Sequence, residues 1–288
     1  MISYYDIADI KIRYESMDEV TDKAALTFAV PPFSDDQIDL KIIEQRYGRL
    51  KIPENFQMTY EQQDELNCFA SPEGELIIQL GLNRGDDRRD GSYRARISSD
   101  MSFAEVDYTP YLSNDAISGN LGRFLFECSI MNRGWLAMHA VSVDIGGGAI
   151  LFSGVSGAGK STQGDLWLTH HTPSRIINGD RVILIPENNG FKTKGTAWSG
   201  TSEIYTKLSA PVKAIIFIEQ AKVNEIERLT PQRAFEHVAK HCAVPYYHSG
   251  LMRKVFDSFD HLTSSVPVYF LRNKADEECY KITEDAVL

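Results

Sequence analysis

The chain has 288 residues, 43% of them apolar and 24% charged, the balance of a globular protein rather than a disordered one. That length can bury one large core or two ordinary ones. A formal net charge of -10 at pH 7 argues against a broad nucleic-acid surface, yet it is compatible with a local phosphate pocket. The first residues carry no basic segment followed by an apolar run, and no stretch is apolar for the span of a bilayer. The expectation is a cytoplasmic protein with no membrane partner. Cys68, Cys128, Cys242 and Cys279 lie far apart without CxxC spacing, so they read as reduced, space-filling residues.

Residues 1–120 show short extended patterns at 25–30, 76–80 and 93–97. Turn-like pieces separate them, among them Ser71-Pro72-Glu73-Gly74 and the charged run at 84–90. The reading is a smaller, β-containing accessory domain with no chemical motif. Next, Leu121, Phe124, Leu125, Cys128 and Met131 recur at helical spacing before Gly134, which predicts a helix over 118–132. Strands at 140–145 and 149–152 flank the turn Gly146-Gly147-Gly148, and the second runs straight into a glycine-rich loop. Beyond the loop, a helix is expected over 160–169 and strands at 175–177, 182–185 and 191–194, the last two joined through Asn189-Gly190. The apolar run at 212–218 reads as a buried central strand. Helices at 231–240 and 250–259 and a strand at 266–271 complete an α/β domain over 121–288.

The glycine-rich loop carries the chemistry. Gly154-Val155-Ser156-Gly157-Ala158-Gly159-Lys160-Ser161-Thr162 fits GxxxxGK[ST] at every fixed position. Glycines at Gly154, Gly157 and Gly159 let the N–H groups of Ser156, Ala158 and their neighbours turn inward around phosphate, in front of a helix N-terminus. Lys160 supplies a mobile charge for the β- and γ-phosphates, Ser161 a hydroxyl for Mg²⁺, and Thr162 the first helical turn. The cofactors this implies are ATP and Mg²⁺.

Phosphoryl transfer also needs acids around the metal and the nucleophile. Asp180, after Ile176-Ile177-Asn178-Gly179, and Glu219, after the strand at 214–218, both stand where an apolar strand ends. Either fits a metal ligand or an ordinary solvated strand end. His139, just before the strand at 140–145, is a candidate contact for phosphate, metal or an acceptor hydroxyl, or a structural histidine. His170 and His171 read as helix-end residues. Trp198, within Gly195-Thr196-Ala197-Trp198-Ser199-Gly200, suits an aromatic wall beside Lys192 or Lys194 or a buried hairpin residue.

Together, residues 139–145, the glycine turn, the phosphate loop and Ile176–Val182 resemble the catalytic domain of HPr serine kinase/phosphorylase. More distantly, they are similar to the kinase core of phosphoenolpyruvate carboxykinase. The resemblance covers about residues 120–272. It implies a phosphoenolpyruvate-carboxykinase-like P-loop kinase domain, entered through a hairpin and preceded by the smaller β-containing domain. It also implies ATP- and Mg²⁺-dependent phosphorylation of a hydroxyl on a protein, peptide or small molecule. Homo-oligomerisation stays open. By the same resemblance, Lys160 and Ser161 contact phosphate and metal, His139 is the histidine before the hairpin, and Asp180 is the second member of an acidic pair. Gly179 stands where the first acid would be, and its lack of a side chain denies it proton transfer and metal binding. That leaves Asp180 for the metal with His139 or Glu219 assisting, or else a domain that binds nucleotide as a scaffold without efficient transfer.

Overall fold

The computed structural model describes residues 1–46, 48, 50–62, 66–80, 93–108, 115–274 and 276–288. The charged run at 84–90 lies outside the described residues. Two compact units emerge: Met1–Arg133 with Pro245–Lys254, and Gly134–Val244 with Val255–Leu288. The division therefore falls after Arg133 rather than at residue 120, and a short later segment returns to the first unit.

The first unit is built on one eight-stranded sheet, in the order β1-β2-β3-β8-β7-β6-β5-β4. Its strands are β1 (Ile2–Ile7), β2 (Ile10–Glu15), β3 (Leu40–Arg46), β4 (Gln57–Gln62), β5 (Leu66–Ala70), β6 (Leu76–Leu80), β7 (Tyr93–Ile97) and β8 (Phe103–Tyr108). Strand β2 alternates cleanly, burying Ile10, Ile12 and Tyr14 while the residues between them face outward. The first half of the extended pattern expected at 25–30 is helix instead: α1 (Lys23–Thr27) begins where the Asp22 carboxylate accepts the Ala25 N–H at 2.9 Å. Ala29 then makes an isolated antiparallel bridge to Tyr5. Helices α2 (Asp115–Ser118) and α3 (Asn120–Asn132) follow the sheet. On α3, Leu121, Leu125 and Cys128 are buried, and Tyr247 of the returning segment meets the Phe124 ring at 5.0 Å and the Cys128 Sγ at 3.4 Å.

The second unit is an α/β assembly. Strands β9 (Leu136–Asp144), β10 (Ala149–Ser153), β11 (Arg175–Asn178), β12 (Arg181–Glu187), β13 (Gly190–Lys194), β14 (Ser209–Gln220), β15 (Glu225–Arg228) and β16 (Val268–Asn273) form it together with α4 (Lys160–His170), α5 (Pro231–His241), the part of α6 (Ser249–Ser265) from Val255 onward, and α7 (Glu277–Val287). Strands β9 and β14 are long enough to serve two sets of partners. The first half of β9 pairs with β12, and its second half with β10 and β11. Likewise, the start of β14 pairs with β13, and the rest with β10 and β16. Strand β10 thus runs antiparallel to β9 and parallel to β14, with all five residues buried.

Both faces of β14 are covered, which explains its unbroken apolar run. Ala214, Ile216 and Ile218 join Phe152, Trp167, Cys279 and Tyr280 in one core that includes α4 and α7. Phe217, on the opposite face, stacks on His237 of α5. No described helix is long and apolar enough to cross a membrane.

Because Ile216 is fully buried between these strands, Ile216→Ala is expected to cost about 2–5 kcal/mol. Urea unfolding followed by Trp167 fluorescence checks this, and an unchanged midpoint would contradict the packing described.

Candidate functional site

The glycine-rich loop leaves the buried end of β10 and closes at the start of α4. Its tight path has two close approaches. A Cβ on Gly154 would stand 2.6 Å from the Ile218 carbonyl oxygen of β14. At Gly159, φ is +105° and a Cβ would stand 2.5 Å from the Asn273 side-chain nitrogen, so this position requires glycine on both counts. Val155, Ser156 and Gly157 are exposed, Ala158 is buried beneath them, and Ser161 and Thr162 open the helix on an exposed face.

Polar side chains fix the loop from below. Gln220, at the end of β14, donates through Nε2 to the Gly157 carbonyl at 2.6 Å. Asn273, at the end of β16, donates to the Ala158 carbonyl at 3.4 Å, and its own oxygen accepts from Gln163 at 3.1 Å and from the Cys279 thiol. Nothing in the sequence pattern marks Gln220 and Asn273 as loop supports beyond being polar residues at the ends of apolar strands.

Lys160 folds over the loop, donating from Nζ to the carbonyls of Gly154 at 3.0 Å and Val155 at 3.1 Å. Burial pushes its ammonium below the ordinary lysine value, and the nearby Asp180 carboxylate acts in the opposite sense. Lys160 and Asp180 therefore share one electrostatic neighbourhood.

Asp180 is aimed by the turn between β11 and β12. The buried Asn178 accepts the N–H groups of Asp180 and Arg181 at 2.9 Å each and donates to the Thr196 carbonyl at 3.2 Å. The Asp180 carbonyl receives the Ala140 N–H at 2.9 Å. His139 of β9 turns its Nδ1 to the Asp180 carboxylate at 3.0 Å and to the Asp180 carbonyl at 3.2 Å. Two acceptor groups on that side require the hydrogen on Nδ1, which leaves Nε2 as an acceptor. Ser153, the last residue of β10, donates to the His139 carbonyl at 2.8 Å, tying this pair to the root of the loop.

Gly179 is not an open position. A Cβ there would stand 2.2 Å from Ser202 Oγ and 2.6 Å from Ser202 Cβ. Ser202 is held by its own hydroxyl, which donates to the Ser199 carbonyl at 2.7 Å. Gly200, in the same segment, leans on the Asp180 carboxyl group, and Trp198 is buried there rather than forming an exposed wall.

The structure thus brings Lys160, His139 and Asp180 together beside the loop, with Ser161 at the start of the same helix. Glu219 stands apart from that group: it is exposed on β14, in register with Arg272. Among the described residues, no three His, Cys, Asp or Glu side chains gather as a metal-binding group.

One residue absent from the sequence reading joins the site. His241 ends α5, and its Nδ1 lies 2.8 Å from the His237 carbonyl, so this nitrogen also carries the hydrogen. After the helix, Cys242 bridges to Met138 and the Ala243 N–H donates to the Ala137 carbonyl at 2.9 Å, so the chain runs antiparallel to β9. That register sets His241 level with His139. The Phe217 ring packs 5.0 Å from His241 and 5.1 Å from His237. Burial pushes both imidazoles below the ordinary histidine value; at His241 the hydrogen bond to the His237 carbonyl opposes this and the charges of Lys160 and Lys240 add to it.

No family model matches the chain, and no curated protein matches it either. Among solved structures, it is similar to the HPr(Ser) kinase/phosphatase from Coxiella burnetii, at 12% identity over 52% of this chain and 93% of that one, with a TM-score of 0.31.

Two outcomes follow from these contacts. Gly179→Asp is expected to lower stability by about 1–3 kcal/mol through its collision with Ser202, and Ser202→Gly on the same chain should restore most of the loss. Thermal unfolding of the three variants decides it, since independent losses would refute the collision. Acid should also destabilise this unit. The unfolded chain protonates His237 and His241 near pH 6.5 and the folded unit only at lower pH, so their contribution is present above 6.5 and lost as pH falls through the folded values. Urea midpoints at several pH values between 7.5 and 5 should fall, and fall less steeply in His241→Asn.

Proposed function

We propose that this chain is an ATP- and Mg²⁺-dependent kinase of the HPr-kinase-like, phosphoenolpyruvate-carboxykinase-like P-loop class, acting on a hydroxyl of a protein, peptide or small molecule. The observation that carries this reading is the convergence of the glycine-rich loop, Lys160 and the His139–Asp180 pair at the end of one buried strand. A loop in which Gly154 and Gly159 leave no room for Cβ atoms and which opens a helix offers N–H groups to phosphate, and Lys160 adds the compensating charge.

The donor set suits Mg²⁺. This ion keeps several waters and is commonly held by one or two protein ligands together with substrate phosphates, so the side chains need not form a cage. Ser161 and Asp180 would hold it, and its chemistry there is to neutralise charge on the phosphate oxygens. Glu219 suits an outer position, reached through water, better than direct coordination. His139, donating to the Asp180 carboxylate, fixes the direction in which that carboxylate points. The remaining work is positioning and electrostatic stabilisation of the transferring group.

A second reading draws on Ser202. The first acid of a kinase pair is missing from this turn, and the Ser202 side chain occupies the space beside Gly179 where it would stand. A nucleotide-responsive binding or scaffold protein would need only the loop.

Wild type, Lys160→Ala and Asp180→Asn separate the two readings when compared for Mg-ATP binding and for transfer of labelled phosphate into cell extract. Lys160→Ala should weaken nucleotide binding about 10-fold or more. Asp180→Asn should bind nearly as wild type but lose transfer about 100-fold. Equal transfer by all three removes the proposed site, and tight Mg-ATP binding by wild type with no labelled product favours the scaffold reading.

A further inference from the structure

The kinase reading leaves one chemical requirement open. With Asp180 turned to the metal and held by His139, and with no side chain at Gly179, some other group must take the proton from the acceptor hydroxyl. We propose that His241 is that group, acting through Nε2 as the general base of phosphoryl transfer; this rests on the kinase reading above.

Three observations meet at His241. Its place is set by the backbone: Cys242 pairs with Met138 while Ser153 pairs with Ala140, so the end of α5 and the root of the phosphate loop flank His139 on the same side of β9. Its tautomer is set by the His237 carbonyl, which takes the Nδ1 hydrogen at 2.8 Å and leaves the Nε2 lone pair available. Its ring orientation is set by Phe217, packed 5.0 Å away. The groups acting on it are Lys240, the His237 carbonyl and the stacked His237 imidazole from its own helix, His139 from β9 and Lys160 from α4, while β14 contributes the uncharged Phe217. Burial, with Lys160 and Lys240 nearby, outweighs the opposing hydrogen bond to the His237 carbonyl and favours the neutral ring, the form that can accept a proton.

His139 is less suited to this task. Its Nδ1 faces the carboxylate of Asp180, so its orientation is bound to the group that holds the metal. His241 instead spends its hydrogen on a neutral carbonyl.

The balance of the step is simple. The acceptor oxygen forms a bond to the γ-phosphorus as the bond from that phosphorus to the β–γ bridging oxygen breaks. The electron pair leaves with the nucleoside diphosphate, and the hydroxyl proton passes to His241 Nε2 and then to water.

The test uses the full chain, labelled Mg-ATP and the extract fraction that wild type labels. His241→Asn retains a donor for the His237 carbonyl but has no basic nitrogen, and His241→Ala leaves room for added imidazole. Expected results are Mg-ATP binding within about 2-fold of wild type, transfer slowed about 100-fold in both variants, and recovery of His241→Ala by imidazole. Recovery should rise with the neutral fraction of the added imidazole as pH increases. Transfer by His241→Asn at the wild-type rate, alongside an inactive Asp180→Asn, overturns the assignment and spares the kinase reading. Loss of transfer with weakened Mg-ATP binding and no imidazole rescue makes His241 structural and also overturns it. Wild type that binds Mg-ATP but labels nothing overturns the kinase reading and this inference together.

Discussion

The approach of Gly154 to the Ile218 carbonyl is the constraint on which the rest of the second unit depends. Strand β10 runs between β9 and β14, and the chain leaves its end alongside Ile218 of β14. A methyl group at residue 154 would stand 2.6 Å from that carbonyl oxygen, closer than real carbon and oxygen atoms sit. The glycine lets the chain turn there and then bend back to begin α4. Everything that follows inherits that turn, including the position of Lys160, the exposure of Ser161 and the shelf made by Gln220 and Asn273.

The elements that were legible in the sequence are those whose signal is local. The loop, the hairpin before it, the helix after it and the apolar run of β14 all follow from residue order, because glycine spacing and continuous apolarity act over a few neighbours. The pairing of His139 with Asp180 was legible only as two separate candidates, since 41 residues part them and the register of β9 with β12 joins them. His241 left no signal of this kind. Its role depends on a strand-like pairing after α5 that a helical pattern does not announce. The first unit was the least legible: the residues at 25–30 look extended by composition, yet a single carboxylate at Asp22 is enough to start a helix there.

Gly179 shows how one position can be read twice. By residue type alone it is a position with no side chain to take a proton or bind a metal. In three dimensions it is a packing position, shaped by the segment from Gly195 to Ser202 that leans on the same turn. The two readings differ in what could be introduced, because an acid placed at position 179 must first displace Ser202. The bare backbone at 179 and closure over the turn are therefore coupled features of this fold.

Asn273 has a further consequence. It touches the loop at Ala158 and, through Gln163 and the Cys279 thiol, the first turn of α7, the last helix of the chain. A contact shared by two elements works in both directions, so free energy gained at one is felt at the other. Whatever stiffens the loop protects the C-terminal helix from fraying, and whatever frays that helix loosens the grip of the loop. Helix α7, reached through Asn273, which lies 115 residues beyond Ala158 in sequence, thereby becomes a reporter of events at the loop, readable by amide exchange.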